Sequence, residues 1–317
     1  MNPTNHHSQL HCILNEKLYL HNRHNDRCPQ QSYEPGENMR VAISGDDGFI
    51  AHYLNEELGD DCQVLTNEMI NDENILPAIL ASCNTIIHFN GHPPDQKMDR
   101  SNQDVLRLMR NNAKIILKSV QEHQGIHLVL VGSLRVHPNP RGEEEYYSSE
   151  SPLSPRDVAA EGQLWVEEYA LEYAMDTHPV TIIRTANVQG IPPDGGEGHG
   201  VVHELCREAC FGFFSVPGTG EEVKDMIHVS DVARMIASII QKPPPTRETV
   251  AIGCGQGVRM NDLAQIISEA TGSSAQYNSN PGDEVWGIVD GWEMSQRVEV
   301  KPEISIQEII QEAIANI

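Results

Sequence analysis

Basic side chains are scarce in this chain. Its 22 lysines and arginines stand against 46 aspartates and glutamates, so the formal net charge at pH 7 is −24. Such an acidic surface repels the phosphates of nucleic acids and the headgroups of anionic membranes, and it mainly confers solubility. We therefore expect neither a nucleic acid nor a membrane as a partner.

Long apolar runs are also absent. No stretch approaches the ~20 apolar residues of a membrane-spanning helix, and the first residues lack the apolar core of a secretory signal. The seven cysteines are scattered and odd in number, which does not suggest a framework of disulfides. These features predict a cytoplasmic protein.

Residues 1–38 carry no periodic apolar pattern and predict a flexible polar tail. The histidines and cysteines of this segment are His6, His7, His11, Cys12, His21, His24 and Cys28. Their spacings match no known set of metal ligands, so we predict no metal site, with a metal-binding segment as the weaker alternative. The rest of the chain is long enough for a large core in one or two domains.

Residues 39–58 (MRVAISGDDGFIAHYLNEEL) predict a strand, a glycine turn and a helix in that order. Such a turn lets backbone N–H groups at a helix N-terminus approach a pyrophosphate. The candidate contacts are Gly45, Asp47, Gly48, Phe49 and Ile50. An ordinary strand-to-helix turn that needs positive φ is the alternative for this stretch taken alone.

Strands and helices alternate along the next part of the chain. Apolar patterns predict strands at 62–66, 84–90, 126–133 and 180–185, and helices at 74–81, 104–123 and 157–175. Because these strands are almost continuously apolar, they predict an α/β fold with a Rossmann-like, doubly wound parallel sheet and helices on both faces. We assign residues 39–190 to this dinucleotide-binding region. Residues 191–317 form a smaller, mainly substrate-binding region, parts of which return to the sheet.

Ligands of such sheets bind beyond the carboxyl ends of the strands. The polar and glycine residues that follow the predicted strands are Gly45, Thr66, Asn67, Asn90, Gly91, His92, Ser133, Thr185 and Asn187. Among these, His92 is a candidate proton carrier, because imidazole titrates near neutral pH. A packed or solvated histidine is the commoner alternative.

Five stretches resemble, in order, the motifs of one family: the NAD-dependent epimerase/dehydratase group of extended short-chain dehydrogenase/reductases, which works largely on nucleotide sugars. They are residues 44–51 (SGDDGFIA, similar to T-G-x-x-G-F-I-G), 84–91 (NTIIHFNG, similar to a strand ending in H-L-A-A), 183–190 (IRTANVQG, similar to R-P-x-N-V-Y-G), 216–233 (VPGTGEEVKDMIHVSDVA, similar to P-G-x-G-x-x-x-R-D-x-I-H-V-x-D-V-A) and 251–263 (AIGCGQGVRMNDL, similar to N-I-G-x-G-x-x-x-S-x-x-E-L). The resemblance runs from residue 39 nearly to the C-terminus. It implies the same fold, NAD or NADP as cofactor, and a small polar, nucleotide-sugar-like substrate.

The family's catalytic Tyr-x-x-x-Lys pair is missing. Ser133 matches the family serine, but the tyrosine and lysine positions fall on Arg156 and Ala160. No tyrosine anywhere in the chain has a lysine four residues later. We therefore expect no ordinary Tyr–Lys relay.

The remaining catalytic candidates follow from this gap. We predict that Ser133 orients the substrate and that His92 or a loop tyrosine, Tyr146 or Tyr147, moves the proton. The substrate-binding candidates are Ser133, Arg135, Asn187, Lys224 and His228. Arg135 suits an anionic substrate, although it could equally be a surface charge.

The cofactor side also departs from the family pattern. The position of the acidic residue that holds the adenosine ribose falls on Thr66 or Asn67, with Glu68 as a possible substitute. No basic residue stands there, so a preference for NADP is not supported. Asp46 in the glycine turn places a second carboxylate near the expected pyrophosphate.

Two other classes of function stay open. The missing pair, Asp46 and the lost ribose acid favour a catalytically inactive relative that binds, senses or partners. The third possibility is a cofactor-independent isomerase, cyclase or lyase that reuses the cleft. We also expect a homodimer through helices 104–123 and 157–175, because relatives commonly pair through these helices and both carry apolar stripes.

Overall fold

A computed structural model of the chain describes residues 40–45, 49–90, 103–139, 146–174, 178–192, 198–277 and 287–317. The predicted tail of residues 1–38 lies outside this part. So do four of the predicted site residues, Asp47, Gly48, Gly91 and His92, together with Asp46.

The strands and helices alternate as predicted in the first half of the described chain. The strands are β1 Val41–Ser44, β2 Cys62–Val64, β3 Thr85–Phe89, β4 His127–Ser133, β5 Tyr146–Tyr147, β6 Val180–Thr185, β7 Asn187–Gln189, β8 Phe213–Val216, β9 Val223–His228, β10 Arg247–Ile252, β11 Gly257–Arg259, β12 Ser274–Tyr277 and β13 Ile288–Val289. The helices are α1 Phe49–Leu58, α2 Asn67–Asn71, α3 Ile75–Leu80, α4 Gln103–Gln121, α5 Val158–Ala174, α6 Val201–Ala209, α7 Val229–Ile240, α8 Met260–Thr271, α9 Gly291–Arg297 and α10 Ile306–Ala315. Two short 3-10 turns lie at Gly59–Asp61 and Leu134–Val136.

Six strands form one parallel sheet in the order β10-β6-β4-β3-β1-β2. Every residue of β1, β3 and β6 is buried, as expected for strands covered on both faces. The chain leaves β1 towards one edge of the sheet and then crosses to β3 on the other side of β1. Such a reversal opens a crevice at the carboxyl ends of the two strands. The predicted doubly wound α/β fold is confirmed.

Alternate side chains of each strand face two separate cores. Val41 and Ile43 of β1 point into a core shared with α1 and α7, whereas Ala42 points into a core shared with α4 and α5. Successive side chains in a strand point to opposite faces, so each apolar run covers both layers. The helices thus hold the sheet from both sides and leave its carboxyl edge for a site.

The C-terminal part of the chain builds a third core from α6, α8 and α10 with strands β8 and β9, around Phe214, Met226 and Leu263. Strands β9 and β8 of this core belong to two small sheets, β11-β9-β7 and β12-β8. Strand β10, within residues 191–317, returns to the main sheet beside β6. No helix of the described chain is long and apolar enough to cross a membrane.

Candidate functional site

The glycine turn after β1 brings backbone groups of two strands very close together. Gly45 has φ +82°, and a Cβ atom there would lie 2.4 Å from the carbonyl oxygen of Phe89, so only glycine fits. Beside it, Ser44 Oγ lies 3.0 Å from His88 Nδ1. Burial lowers the pKa of His88 to about 4, which keeps this imidazole neutral at pH 7.

The first turn of α1 follows directly. Phe49 is buried, and its ring stacks on that of His199 at 4.0 Å between centroids with an interplanar angle of 8°. Ile50 is partly buried and packs against the core on this face of the sheet. The Tyr53 hydroxyl donates to the carbonyl oxygen of Ile191 at 2.8 Å. Residues of α1 thus contact Ile191 and His199, which come before and after residues 193–197 in the sequence.

Two predicted residues, Asn90 and Thr185, flank Gly132 at the carboxyl ends of β3, β4 and β6. Asn90 is 3% exposed, and neither its Oδ1 nor its Nδ2 has a hydrogen-bond partner among the residues that the structure describes. Thr185 Oγ1 donates to the carbonyl oxygen of Gly132 at 3.0 Å. An ideal Cβ at Gly132 would lie 2.9 Å from Asn90 Oδ1, so the missing side chain makes room for this amide.

Ser133 has a partner that the sequence reasoning missed. Its hydroxyl donates to Gln163 Oε1 at 3.0 Å, and its backbone N–H donates to the same oxygen at 3.2 Å. Gln163 follows Ala160 by three residues in α5, so both lie on one face of the helix. That spacing from the vacant lysine position was a signal that could have identified Gln163.

Tyr147 and Arg156 are tied to each other and to the loop after β4. The buried Tyr147 hydroxyl donates to the carbonyl oxygen of Pro138 at 2.5 Å, and its ring stacks on His137. Arg156 donates to the carbonyl oxygens of His137 and Pro138, both at 3.0 Å, and to the Tyr147 hydroxyl at 3.3 Å. These contacts favour a structural role for Tyr147, whereas the neighbouring Tyr146 is 53% exposed.

Arg135 is buried and paired within the chain. Its Nε donates to Asp157 Oδ2 at 2.8 Å, and a terminal nitrogen makes a second contact with the same oxygen. Asp157 also accepts from the Ala160 N–H at 2.7 Å, which caps the start of α5. The geometry thus uses Arg135 to fix the helix that carries Gln163.

The predicted ribose contacts lie at the edge of the sheet. Thr66 and Asn67 are exposed, and the chain reaches them from Leu65, whose N–H donates to the carbonyl oxygen of Ile43 at 2.7 Å. Thr66 Oγ1 accepts from the Met69 N–H at 3.3 Å and caps α2. They are therefore not brought into contact with the Asn90 and Ser133 group.

The most specific of the sequence motifs, residues 216–233, joins parts of the C-terminal region. Lys224 and His228 are buried in β9. His228 Nε2 lies 3.0 Å from Glu312 Oε2, and its Nδ1 caps α7. Asp225 accepts three backbone N–H groups, and burial raises the pKa of this carboxyl to about 6. These contacts tie strands, loops and α10 together.

Asn187 lies at the start of β7 and is half-buried. Its Oδ1 accepts from Gln189 Nε2 at 2.8 Å. Gln189 in turn accepts from the Val202 N–H at 3.0 Å, at the start of α6. The side chain of Asn187 is thus oriented from the C-terminal region, that of Ser133 by Gln163 in α5, and that of Thr185 by Gly132 in the sheet.

Comparison with known proteins identifies the class. The sequence matches the NAD dependent epimerase/dehydratase family over residues 41–253, about two thirds of the chain, and the protein belongs to this family. A curated relative, an uncharacterized UDP-glucose epimerase YtcB of Bacillus subtilis (strain 168), is 24% identical over 163 residues. The match covers 50% of this chain and 49% of YtcB, so the chain spans about half the length of the curated relative it matches.

Solved structures share the fold over most of the chain. MoeE5 in complex with UDP-glucose and NAD has a TM-score of 0.72 at 19% identity, over 87% of this chain and 98% of that one. TunA, an NAD-dependent NDP-hexosamine 5,6-dehydratase, has a TM-score of 0.72 at 18% identity, over 88% and 97%. The UDP-glucuronic acid 4-epimerase of Bacillus cereus, in complex with UDP-glucuronic acid and NAD, has a TM-score of 0.69 at 15% identity, over 88% and 98%. At these identities the likeness shows the fold.

Proposed function

We propose that this protein binds an NAD-type dinucleotide across the carboxyl edge of its sheet and acts on a small polar, nucleotide-sugar-like substrate in the same cleft. The observation that carries the proposal is the close packing at Gly45. The backbone passes β3 there without a side chain, four residues before α1 begins, as the tight first turn of a dinucleotide-binding loop requires. MoeE5 and the Bacillus cereus epimerase, which share this fold, are complexes with NAD and a nucleotide sugar.

The described residues fit one part of such a cofactor and not another. Gly45 and the amide of Asn90, which has no partner among the described residues, suit a polar ligand lying over the ends of β1 and β3. A bound nicotinamide would supply hydride chemistry. Ala160 is fully buried and carries no polar group, so it cannot hold a ribose as a lysine would.

The proton chemistry accordingly rests on other groups. Ser133 stands at the end of β4, where it is positioned to orient a substrate oxygen. His92 stays our candidate for moving the proton, by its place after β3 in the sequence. We therefore propose a mechanism without the Tyr–Lys relay.

A binding protein without turnover is the second candidate. Arg156, at the tyrosine position, donates to two carbonyl oxygens and a hydroxyl inside the protein. A guanidinium donates hydrogen bonds but does not give up its proton at neutral pH, so Arg156 cannot act as a catalytic acid. This contact pattern favours a cleft that keeps ligand binding while the usual acid is absent.

We expect a titration with NAD(H) to raise the thermal stability of the purified protein. A ligand at 100 times its dissociation constant adds about 2.7 kcal/mol, a shift of about 4 °C for a chain of this size. NAD, NADH, NADP and NADPH are compared by thermal denaturation. An unchanged denaturation temperature with all four would contradict the proposed dinucleotide site. A shift without turnover of UDP-sugars supports the second candidate.

A matched pair of glycine variants tests where the dinucleotide binds. Gly45 and Gly59 both have positive φ, but a Cβ at Gly59 meets nothing within 4 Å. Gly45→Ala and Gly59→Ala therefore share the cost of a positive φ, about 1 kcal/mol, and Gly45→Ala alone adds a clash with the Phe89 carbonyl oxygen at the glycine turn. We expect that Gly45→Ala alone loses the shift with NAD(H). Equal shifts in both variants would contradict binding at the glycine turn.

We also propose that two copies pair through α4 and α5, which pack against each other. Trp165 stacks on Tyr169 at 4.8 Å, with Arg110 and Lys114 at 5.1 and 5.6 Å from the Trp165 ring. Light scattering should give twice the chain mass, and Trp165→Glu should halve it. Trp292→Glu, at a 74% exposed position in α9, is the control. A wild-type mass of one chain would refute the pairing.

A further inference from the structure

The orientation of the Gln163 amide follows from its contacts with Ser133. The backbone N–H of Ser133 can only donate, so the Gln163 atom 3.2 Å from it must be the carbonyl oxygen. The same oxygen lies 3.0 Å from Ser133 Oγ. Since a carbonyl oxygen cannot donate, the Ser133 hydroxyl gives its single proton to Gln163.

A serine that has committed its proton can only accept from a ligand. One weak contact of this kind already exists, from the Arg135 N–H at 3.4 Å. A hydroxyl oxygen has two lone pairs, so Ser133 Oγ has capacity for a second donor. A ligand carbonyl at this point would face lone pairs with no proton between them.

Asn90 supplies an independent sign of a ligand. Its carboxamide is 3% exposed and unpartnered within the described chain, whereas buried polar groups are almost always hydrogen-bonded. It points at Gly132: the site of an ideal Cβ there lies 2.9 Å from Asn90 Oδ1 and 3.4 Å from Gln163 Oε1. The two amides therefore flank the residue that precedes Ser133.

The groups around this point are polar but uncharged. Asn90, Ser133 and Gln163 are neutral side chains, and the buried His88 nearby is neutral at pH 7. The charge of Arg135 is compensated by Asp157. Among the described residues, an anionic group would find no net positive charge here, whereas a hydroxyl can donate and accept at once.

We propose that Gln163 is a positioning residue that fixes Ser133 as a hydrogen-bond acceptor, and that Ser133 thereby selects an uncharged ring hydroxyl of the ligand over a carbonyl or an anion, with the Asn90 amide as a second hydrogen-bonding group. This inference rests on the proposed function. The hydroxyl belongs either to a ribose of the dinucleotide or to the sugar of the substrate, and both sources offer the same chemistry.

The test measures the affinities of NAD, UDP-glucose and singly deoxyfluoro analogues of UDP-glucose by calorimetry, since fluorine cannot donate a hydrogen bond. For a sugar hydroxyl, one analogue should bind the wild type about tenfold or more weakly than UDP-glucose. Gln163→Leu frees the Ser133 proton and should bring the ratio of the two affinities, UDP-glucose to this analogue, close to one. Gln163→Glu keeps an acceptor oxygen and should restore the ratio. For a ribose hydroxyl, Gln163→Leu should weaken NAD about tenfold and leave UDP-glucose unchanged.

A merely structural role for Gln163 would weaken all ligands alike. Thr181→Val is the control, because it removes buried hydrogen bonds to His127 and Glu248 elsewhere in the sheet. Unchanged affinity ratios for Gln163→Leu, with both ligands still bound by the wild type, overturn this inference alone. Failure of the wild type to bind either NAD or UDP-glucose overturns the proposed function and this inference with it.

Discussion

Lowering the pH from 7 to 5 is expected to remove roughly 5 kcal/mol of the free energy of unfolding. The cause is three buried histidines that resist protonation in the folded state. Burial lowers the pKa of His88 and His137 to about 4 and that of His127 to about 3. Nearby arginines lower the pKa of His127 and His137 further.

The direction of this effect follows from proton counting. The unfolded chain takes up these protons near its ordinary pKa of 6.5, whereas the folded chain does so only near pH 4. The free energy of unfolding therefore has its full value above pH 6.5. It falls as the pH drops from 6.5 towards 4, and the loss at pH 5 is about 2 kcal/mol per histidine. Asp225 opposes the trend, because its raised pKa adds about 1 kcal/mol at pH 5.

Urea denaturation at pH 7 and pH 5 measures the difference. His127→Gln should reduce the fall between the two values by about 2 kcal/mol. His52→Gln is the control, since His52 lies on the surface beside Glu56. A free energy of unfolding that stays constant from pH 7 to pH 5 would rule out this explanation.

Asp225→Leu is expected to lower the free energy of unfolding by roughly 3 to 5 kcal/mol. The side chain is fully buried and accepts from the backbone N–H groups of Cys254 at 2.7 Å, Gly255 at 3.0 Å and Val289 at 3.0 Å. Leucine has a similar size but no acceptor, so it leaves these donors without a partner. One carboxyl thus holds β9, the loop after β10 and β13 together.

Two further variants separate the lost hydrogen bonds from other effects of substitution. Asp225→Asn keeps one acceptor oxygen and should cost about half as much as Asp225→Leu. Asp262→Leu, at an exposed position in α8, should change the free energy of unfolding by less than about 0.5 kcal/mol. Chemical denaturation at pH 7 compares them. Similar losses of unfolding free energy for Asp225→Leu and Asp262→Leu would show that the hydrogen bonds of Asp225 do not hold these segments together.

The fold was open to prediction because its signal is local. Strand β4, for example, carries the unbroken apolar run Leu128–Val131, and such a run on both faces is typical of a strand that is covered on both sides. Helices 104–123 and 157–175 were placed within two residues of α4 and α5. Gly45 was likewise identified from the chain alone, and its φ of +82° supplies the physical reason for glycine.

The partners of the site residues were not open to prediction in the same way. Arg135 meets Asp157 22 residues on, and Ser133 meets Gln163 30 residues on. Each contact depends on how α5 is rotated against the end of β4, and a periodic pattern does not specify side-chain rotation to that accuracy. For the same reason, the sequence did not show that the Tyr147 hydroxyl lies against the carbonyl oxygen of Pro138.

The sequence by itself determined the parallel sheet, the glycine turn, the family motifs and the absence of a Tyr-x-x-x-Lys pair, because each is a matter of residue type and spacing along the chain. Only the tertiary structure decided that Ser133 gives its proton to Gln163, that Asn90 is buried without a described partner, and that Asp225 joins three segments. Hydrogen bonds between distant residues form only when helices and strands have been packed to within an ångström, and it is this packing that assigns donors and acceptors in the site.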